Sequence, residues 1–208
     1  MRRAAKSADM TISITTCNLA LGELRAPSII DIAEDTLEAR ECARYYPICL
    51  RILLERHDWA FANRRAALAE LATNDRAAEW AHAYILPAGC TTPLRLVASD
   101  GYAPDFIVEN RTLYTQLGNA VLEYAANDVT DSEMPGLFAD ALAYALAARI
   151  AVPIRDSREM KGQLLQQAEL AFQRAVAEDR NRQPERDVVG EDMVALVRLG
   201  AALGRWVR

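Results

Sequence analysis

The sequence predicts a mainly α fold: a helical bundle with a small inserted antiparallel β-sheet (α+β) and a carboxy-terminal docking helix. Three observations carry this prediction. Apolar residues recur at spacings of three to five through residues 29–61, and again through 137–150 and 164–176, as a buried helix face requires. Between these stretches, residues 62–127 lose the helical period and fill with turn formers. Beyond a charged run, residues 193–208 carry apolar side chains around most of a helix's circumference.

Taken in order, a first helix is predicted over residues 11–24, stopped by Pro27. The stretch 29–61 puts Ala33, Leu37, Cys42, Tyr46, Cys49 and Leu53 on one face. Pro47 within it is expected to kink or split the helix, because proline has no amide donor and crowds the preceding turn. Turn chemistry then appears at Asn74-Asp75, Pro87, Pro93, Ser99-Asp100-Gly101, Pro104 and Glu109-Asn110-Arg111. The apolar runs 94–97, 106–108, 113–115 and 121–124 read as strands of one small antiparallel sheet, with a hairpin turning at Asn110.

The helical stripe returns through Leu137, Phe138, Ala141, Leu142, Ala145, Ala148 and Ile150. Its alanines permit close helix approach, which predicts a central helix. Pro153 is expected to end it, and Asp156 with Glu159 resembles a capping box that opens a further helix. Leu164, Leu165, Ala168, Phe172 and Val176 form the predicted buried side of that helix. From 178 to 192, nine of fifteen residues are charged, which reads as a linker or an exposed helix end. In the final segment Glu191, Arg198 and Arg205 recur every seven positions as one narrow polar stripe, and Gly200 and Gly204 have GxxxG spacing. A helix with so little polar surface must be buried on most sides. The predicted organisation is a flexible tail over 1–9, a domain over 10–180 with its sheet at about 62–127, a charged linker over 181–192 and an apolar segment over 193–208. Met193, Val197, Leu203 and Trp206 are the candidate partner-docking anchors.

Composition bounds the function. The chain has 208 residues, 51% of them hydrophobic and 25% charged, with a net charge of -5, which excludes collagen-like, disordered and disulfide-scaffold classes. The acidic balance argues against tight nucleic-acid binding, which basic side chains dominate. No run reaches the roughly 18 apolar residues of a membrane span. The stretch 10–21 is too interrupted by Thr11, Ser13, Thr15, Thr16 and Asn18 for a secretory core. Cys17, Cys42, Cys49 and Cys90 form neither a CxxC pair nor a Cys/His cluster, so no zinc site is expected. Cys42 and Cys49 stand about 10 Å apart along one helix, too far for a bridge. All four read as buried free thiols of a reducing cytoplasm.

No catalytic residue, cofactor or metal emerges from the motifs. His57 and His82 are the only histidines, and neither sits in a catalytic motif. His57 reads as a helix-end residue favoured by the negative end of the dipole. Glu34 with Asp35 and Glu38 with Glu41 could do acid–base work on a sugar, but Arg40 and Arg44 nearby suit a solvated, ion-paired face better. Trp59, Phe61, Trp80 and Tyr84 lack the interleaved lysines of a base-stacking platform and read as core packing where helices meet the sheet.

Five fragments in fixed order add a resemblance. They are Asn18-Leu19-Ala20-Leu21-Gly22; Ala39-Arg40-Glu41-Cys42 with Tyr45-Tyr46; the ten-residue run Leu53-Leu54-Glu55-Arg56-His57-Asp58-Trp59-Ala60-Phe61-Ala62; Trp80-Ala81-His82-Ala83-Tyr84-Ile85-Leu86-Pro87-Ala88-Gly89-Cys90; and Val129-Thr130-Asp131-Ser132 leading to Leu137-Phe138-Ala139-Asp140-Ala141-Leu142-Ala143. Together, over residues 15–180, they resemble the tail tubular protein A family of short-tailed bacteriophages, the head-to-tail adaptors. The resemblance implies a virion protein assembled in the host cytoplasm, with no enzymatic role. Its copies would form a ring, commonly a dodecamer, between the portal and the tail nozzle, and genomic DNA would pass through during ejection without specific binding. Portal docking by Met193, Val197, Leu203 and Trp206 is expected from the physics of the segment, since nothing beyond Arg182 aligns with the family. The competing expectations are a virion-associated peptidoglycan hydrolase and a free cytoplasmic helical protein that oligomerises.

Overall fold

A computed structural model describes residues 12–98 and 104–182, and among these residues there are four α-helices and seven strands. The fold is α+β rather than a mainly α bundle: the described residues are 46% helical and 20% strand, and the strands form two antiparallel sheets. This corrects the expectation of a single small inserted sheet.

Helix α1 spans Ile14–Glu23. Ser13 opens it, its hydroxyl accepting the Thr16 amide at 3.0 Å and donating to Asp131 Oδ2 at 2.6 Å. One small side chain thus satisfies an orphan helix donor and ties the helix start to the loop after the sheets. Replacing Ser13 with alanine is expected to cost about 1–2 kcal/mol, read as a lower urea midpoint; an unchanged midpoint would show that the cap is dispensable. The helix stops at Leu24, and Arg25 follows with a positive φ of 53°. Asn18 then holds the returning chain by pairing both the amide and the carbonyl of Ile29.

Helix α2 spans Leu37–Glu55 and begins later than the sequence predicts. Residues 29–36 are not helical; Thr36 is the cap, and Glu34 accepts the amides of Ile30 and Asp31. Pro47 does not split the helix, which runs through it as one element. The buried residues Cys42, Tyr46, Cys49, Leu50 and Leu53 supply packing that outweighs the lost backbone bond.

A 3-10 turn, Ala60–Ala62, leads into the sheets. The strands are β1 Asn63–Ala67, β2 Ala69–Glu70, β3 His82–Ile85, β4 Cys90–Val97, β5 Phe106–Glu109, β6 Thr112–Thr115 and β7 Val121–Ala126. One sheet has the order β1-β7-β4 and the other β2-β3-β6-β5. Leu68 alone separates β1 from β2, so the chain steps directly from one sheet to the other. Tyr84 and Leu113 from one sheet meet Leu96 and Leu122 from the other in a shared core. The hairpin at Asn110 forms as expected, with φ of 47° at Asn110 and 65° at Arg111, the left-handed pair that suits the twist of a two-residue turn. Pro93 sits in the edge strand β4 beside two register shifts, where a missing donor is tolerated.

Helix α3, Gly136–Arg155, is the centre of the helical half and touches each of the other three helices. Pro153 does not end it; the helix continues to Arg155, and Asp156 in a left-handed conformation breaks it. Over an 18-residue window its mean hydropathy is 1.6, so by length and composition it could cross a membrane, contrary to the sequence expectation. Phe138, Leu142, Leu146 and Ile150 are buried against the other helices, the ordinary reason for a core helix to be this apolar. Helix α4 spans Arg158–Arg182 along α3. Its cap is Ser157, whose hydroxyl accepts the Met160 amide at 3.1 Å, and not the predicted box of Asp156 with Glu159. Leu164, Phe172 and Val176 are buried as predicted, but Leu165 is 52% exposed.

Candidate functional site

The candidate docking anchors Met193, Val197, Leu203 and Trp206 lie outside the described residues, as do the tail 1–9 and most of the charged linker. The described residues do define where that carboxy-terminal segment departs: the last turns of α4.

Those turns are locked to the run 53–62. Leu53 and Leu54 bury the end of α2, and Trp59, 1% exposed, turns the chain inward. Its indole nitrogen donates to the Leu53 carbonyl at 2.8 Å, and its ring meets Phe138 of α3 edge-on at 4.8 Å and Phe172 of α4 at 6.0 Å. His57 packs edge-on against Trp59 at 4.8 Å, and its Nε2 lies 3.1 Å from Asp179 Oδ2 on α4. Asp179, only 6% exposed, also accepts the Ala60 amide. One residue before His57, Arg56 forks onto both oxygens of Glu169 at 3.0 and 2.8 Å, with its guanidinium 3.7 Å above the Phe172 ring. A planar fork and a ring face suit arginine and not lysine.

His57 does stand at the end of α2, and it is also half of an interhelical clamp. Asp179, which the charge pattern assigned to a solvated region, is the other half. The helical period could have found it: Phe172, Val176 and Asp179 follow one another at four and three residues on the buried side of α4. Asp179→Asn is expected to cost about 1–2 kcal/mol, because the amide meets His57 and the Ala60 amide without a charge. Hydrogen exchange should quicken in the last turn of α4; protection there equal to wild type would show that the clamp does not hold the helix end.

A second buried carboxylate joins the three-stranded sheet. Glu123 on β7 stands opposite Arg65 on β1 and Arg95 on β4, and both guanidinium groups reach its Oε2 at 2.9–3.1 Å. Burial opposes its ionisation, but the hydrogen bond and charge of Arg95, with those of Arg65, outweigh burial and hold the carboxyl below its ordinary range.

The other candidates resolve individually. His82 pairs with Glu70 at 2.7 Å on the second sheet and stacks on Tyr84. Glu41 pairs with Arg44 at 3.7 Å, as expected for an ion-paired helix face. Trp59 and Phe61 belong to the helical core and Tyr84 to the sheet core, while the half-buried Trp80 belongs to neither, so the predicted aromatic cluster does not form. All four cysteines are free and buried. Burial pushes the Cys49 thiol up to about 11 against the opposing charge of Arg149, and the hydrogen bond shared with Cys42, together with burial, raises Cys17. Such thiols stay protonated at neutral pH and are poor nucleophiles and ligands. Among the described residues no group of three or more His, Cys, Asp or Glu side chains is arranged to hold a metal ion.

No protein-family model matches the chain, and no curated protein matches it.

Proposed function

We propose that the chain is a structural virion protein, a head-to-tail adaptor of the kind found in short-tailed bacteriophages. Its copies form a ring, a dodecamer in this reading, between the portal and the tail nozzle, and genomic DNA passes through during ejection. The observation that carries the reading is the run 53–62. It is a ten-residue stretch with the adaptor-like pattern, and its His57, Trp59 and Ala60 join the end of α2 to the end of α4. A segment that must reach another ring needs a rigid point of departure. The clamp supplies one by fixing α4 three residues before Arg182.

In this mechanism the work is assembly. The helices make side-by-side subunit contacts and the sheets contribute to the tail-side surface. Met193, Val197, Leu203 and Trp206 anchor the carboxy-terminal segment on the portal. A net charge of -5 suits a channel that lets DNA slide, since sliding requires few basic contacts that release counterions.

Electron microscopy of the purified protein mixed with its phage's portal tests this directly. Rings of defined symmetry seated on the portal are expected, and removing residues 188–208 should abolish them while circular dichroism shows an intact helical fold. Portal particles that stay bare with the full chain, or rings that form equally well without residues 188–208, would overturn the adaptor reading or its docking segment respectively. Lysis of cell walls by the protein would instead favour a peptidoglycan hydrolase.

A further inference from the structure

Helices α2, α3 and α4 enclose a groove of about 350 Å³ on the flank of the helical half. Its floor includes Cys49 and Leu53, and its rim carries Ile52 and Leu165, which are 36% and 52% exposed. Arg149 and Lys161 also line it, and among the described residues neither forms an ion pair; Arg56 and Glu169 at one end satisfy each other. The groove thus offers apolar surface beside two cations without carboxylates. Its complement is a short apolar segment preceded by acids.

The chain contains such a segment at the right distance. Residues 183–192 hold Glu185, Asp187, Glu191 and Asp192 against one Arg186, and Met193, Val194, Leu196 and Val197 follow. Along α4, Leu165 lies about 26 Å and Lys161 about 32 Å back from Arg182, at 1.5 Å per residue. Returning chain covers at most about 3.3–3.6 Å per residue, so eight to ten residues are needed. The residues eight to ten beyond Arg182 are Gly190, Glu191 and Asp192, and the last two are the acids that the groove's cations lack.

We propose that in the free protein this groove receives residues 191–197 of the same chain, with Glu191 and Asp192 meeting Arg149 and Lys161 and with Met193, Val194 and Val197 covering Ile52 and Leu165. The inference stands on linker length and charge, and it holds whatever the chain's role in a virion. If the adaptor reading also holds, portal docking draws the same segment out of the groove.

The test uses the full chain with a photo-crosslinking benzoylphenylalanine in place of the exposed Leu165, irradiated without portal in an equal mixture of light and nitrogen-15-labelled protein. The expected product joins position 165 to a peptide within 191–197, with both halves carrying the same isotope. Mixed-isotope products would assign the groove to a second copy, and the absence of any link to 191–197 would leave it to another ligand; either overturns the proposal. Reversing both cations, Arg149→Glu with Lys161→Glu, should lower the crosslink yield about fivefold, the scale of one to two partly exposed ion pairs. Adding Glu191→Lys with Asp192→Lys should restore it, and failure to restore overturns the charge pairing. Portal binding is not measured here, so this result and the adaptor reading fail separately.

Discussion

Replacing Trp59 with alanine is expected to lower the unfolding free energy by about 3–5 kcal/mol, a large part of the 5–15 kcal/mol that holds an ordinary domain together. The size follows from where the ring sits. Trp59 is 1% exposed and touches Phe138 of α3 and Phe172 of α4, while its nitrogen closes the end of α2 on the Leu53 carbonyl. Three helices line the space it would leave, and the walls cannot readily collapse, because Arg56–Glu169 and His57–Asp179 hold α2 and α4 at a fixed separation on either side. A cavity that cannot relax keeps its full cost. Trp59→Phe separates the contributions: most of the ring contact remains and the Leu53 bond is lost, so about 1–2 kcal/mol is expected. Urea unfolding followed by circular dichroism measures both, and a loss below 1 kcal/mol for the alanine variant would show that the three helices do not depend on this ring.

The helices were legible because their signal is local and periodic. The stripe of α3 and the buried face of α4 could be read from spacing, apart from the exposed Leu137 and Leu165, and the Asn110 hairpin from its turn chemistry. What was hidden depends on partners distant in sequence. Strand β1 reads Asn63-Arg64-Arg65-Ala66-Ala67, a composition that favours helix, and it is a strand because β7 pairs with it some sixty residues later. Without β1, the short β2 and β3, the remaining four strands look like one sheet and the fold looks mainly α. Pro47 and Pro153 misled for a related reason: a proline penalty is local, whereas the burial that overrides it comes from neighbouring helices. In the candidate site His57 was visible as a histidine but not as a clamp, because its partner lies 122 residues away.

Glu123 makes a second large prediction, and one whose dependence on pH carries its own control. At pH 7 Glu123→Gln is expected to cost about 2–3 kcal/mol, since a 5%-exposed charge then no longer binds two guanidinium groups across three strands. The folded protein holds this carboxyl below its ordinary value of 4.5, because Arg95 and Arg65 outweigh burial. Its contribution is therefore complete above the unfolded value and is lost as pH falls through the folded one. The stability gap between wild type and Glu123→Gln should be widest at neutral pH and narrow progressively below about 4.5, where protonated glutamate comes to resemble glutamine. Glu133 and Glu169 are also held below the ordinary range, Glu133 by the Thr130 amide and hydroxyl and Glu169 by Gln173 and Arg56, so wild type and variant alike weaken in acid. Both are more than a third exposed and solvent screens them, so they add a shared background that the comparison cancels. Urea midpoints of the two proteins at pH 7, 5, 4 and 3 decide the matter. A gap that closes shows that charge links β1, β7 and β4; a gap that stays constant to pH 3 would mean that Glu123 acts through packing, and that the arginines on either side are bystanders on a sheet held by its backbone.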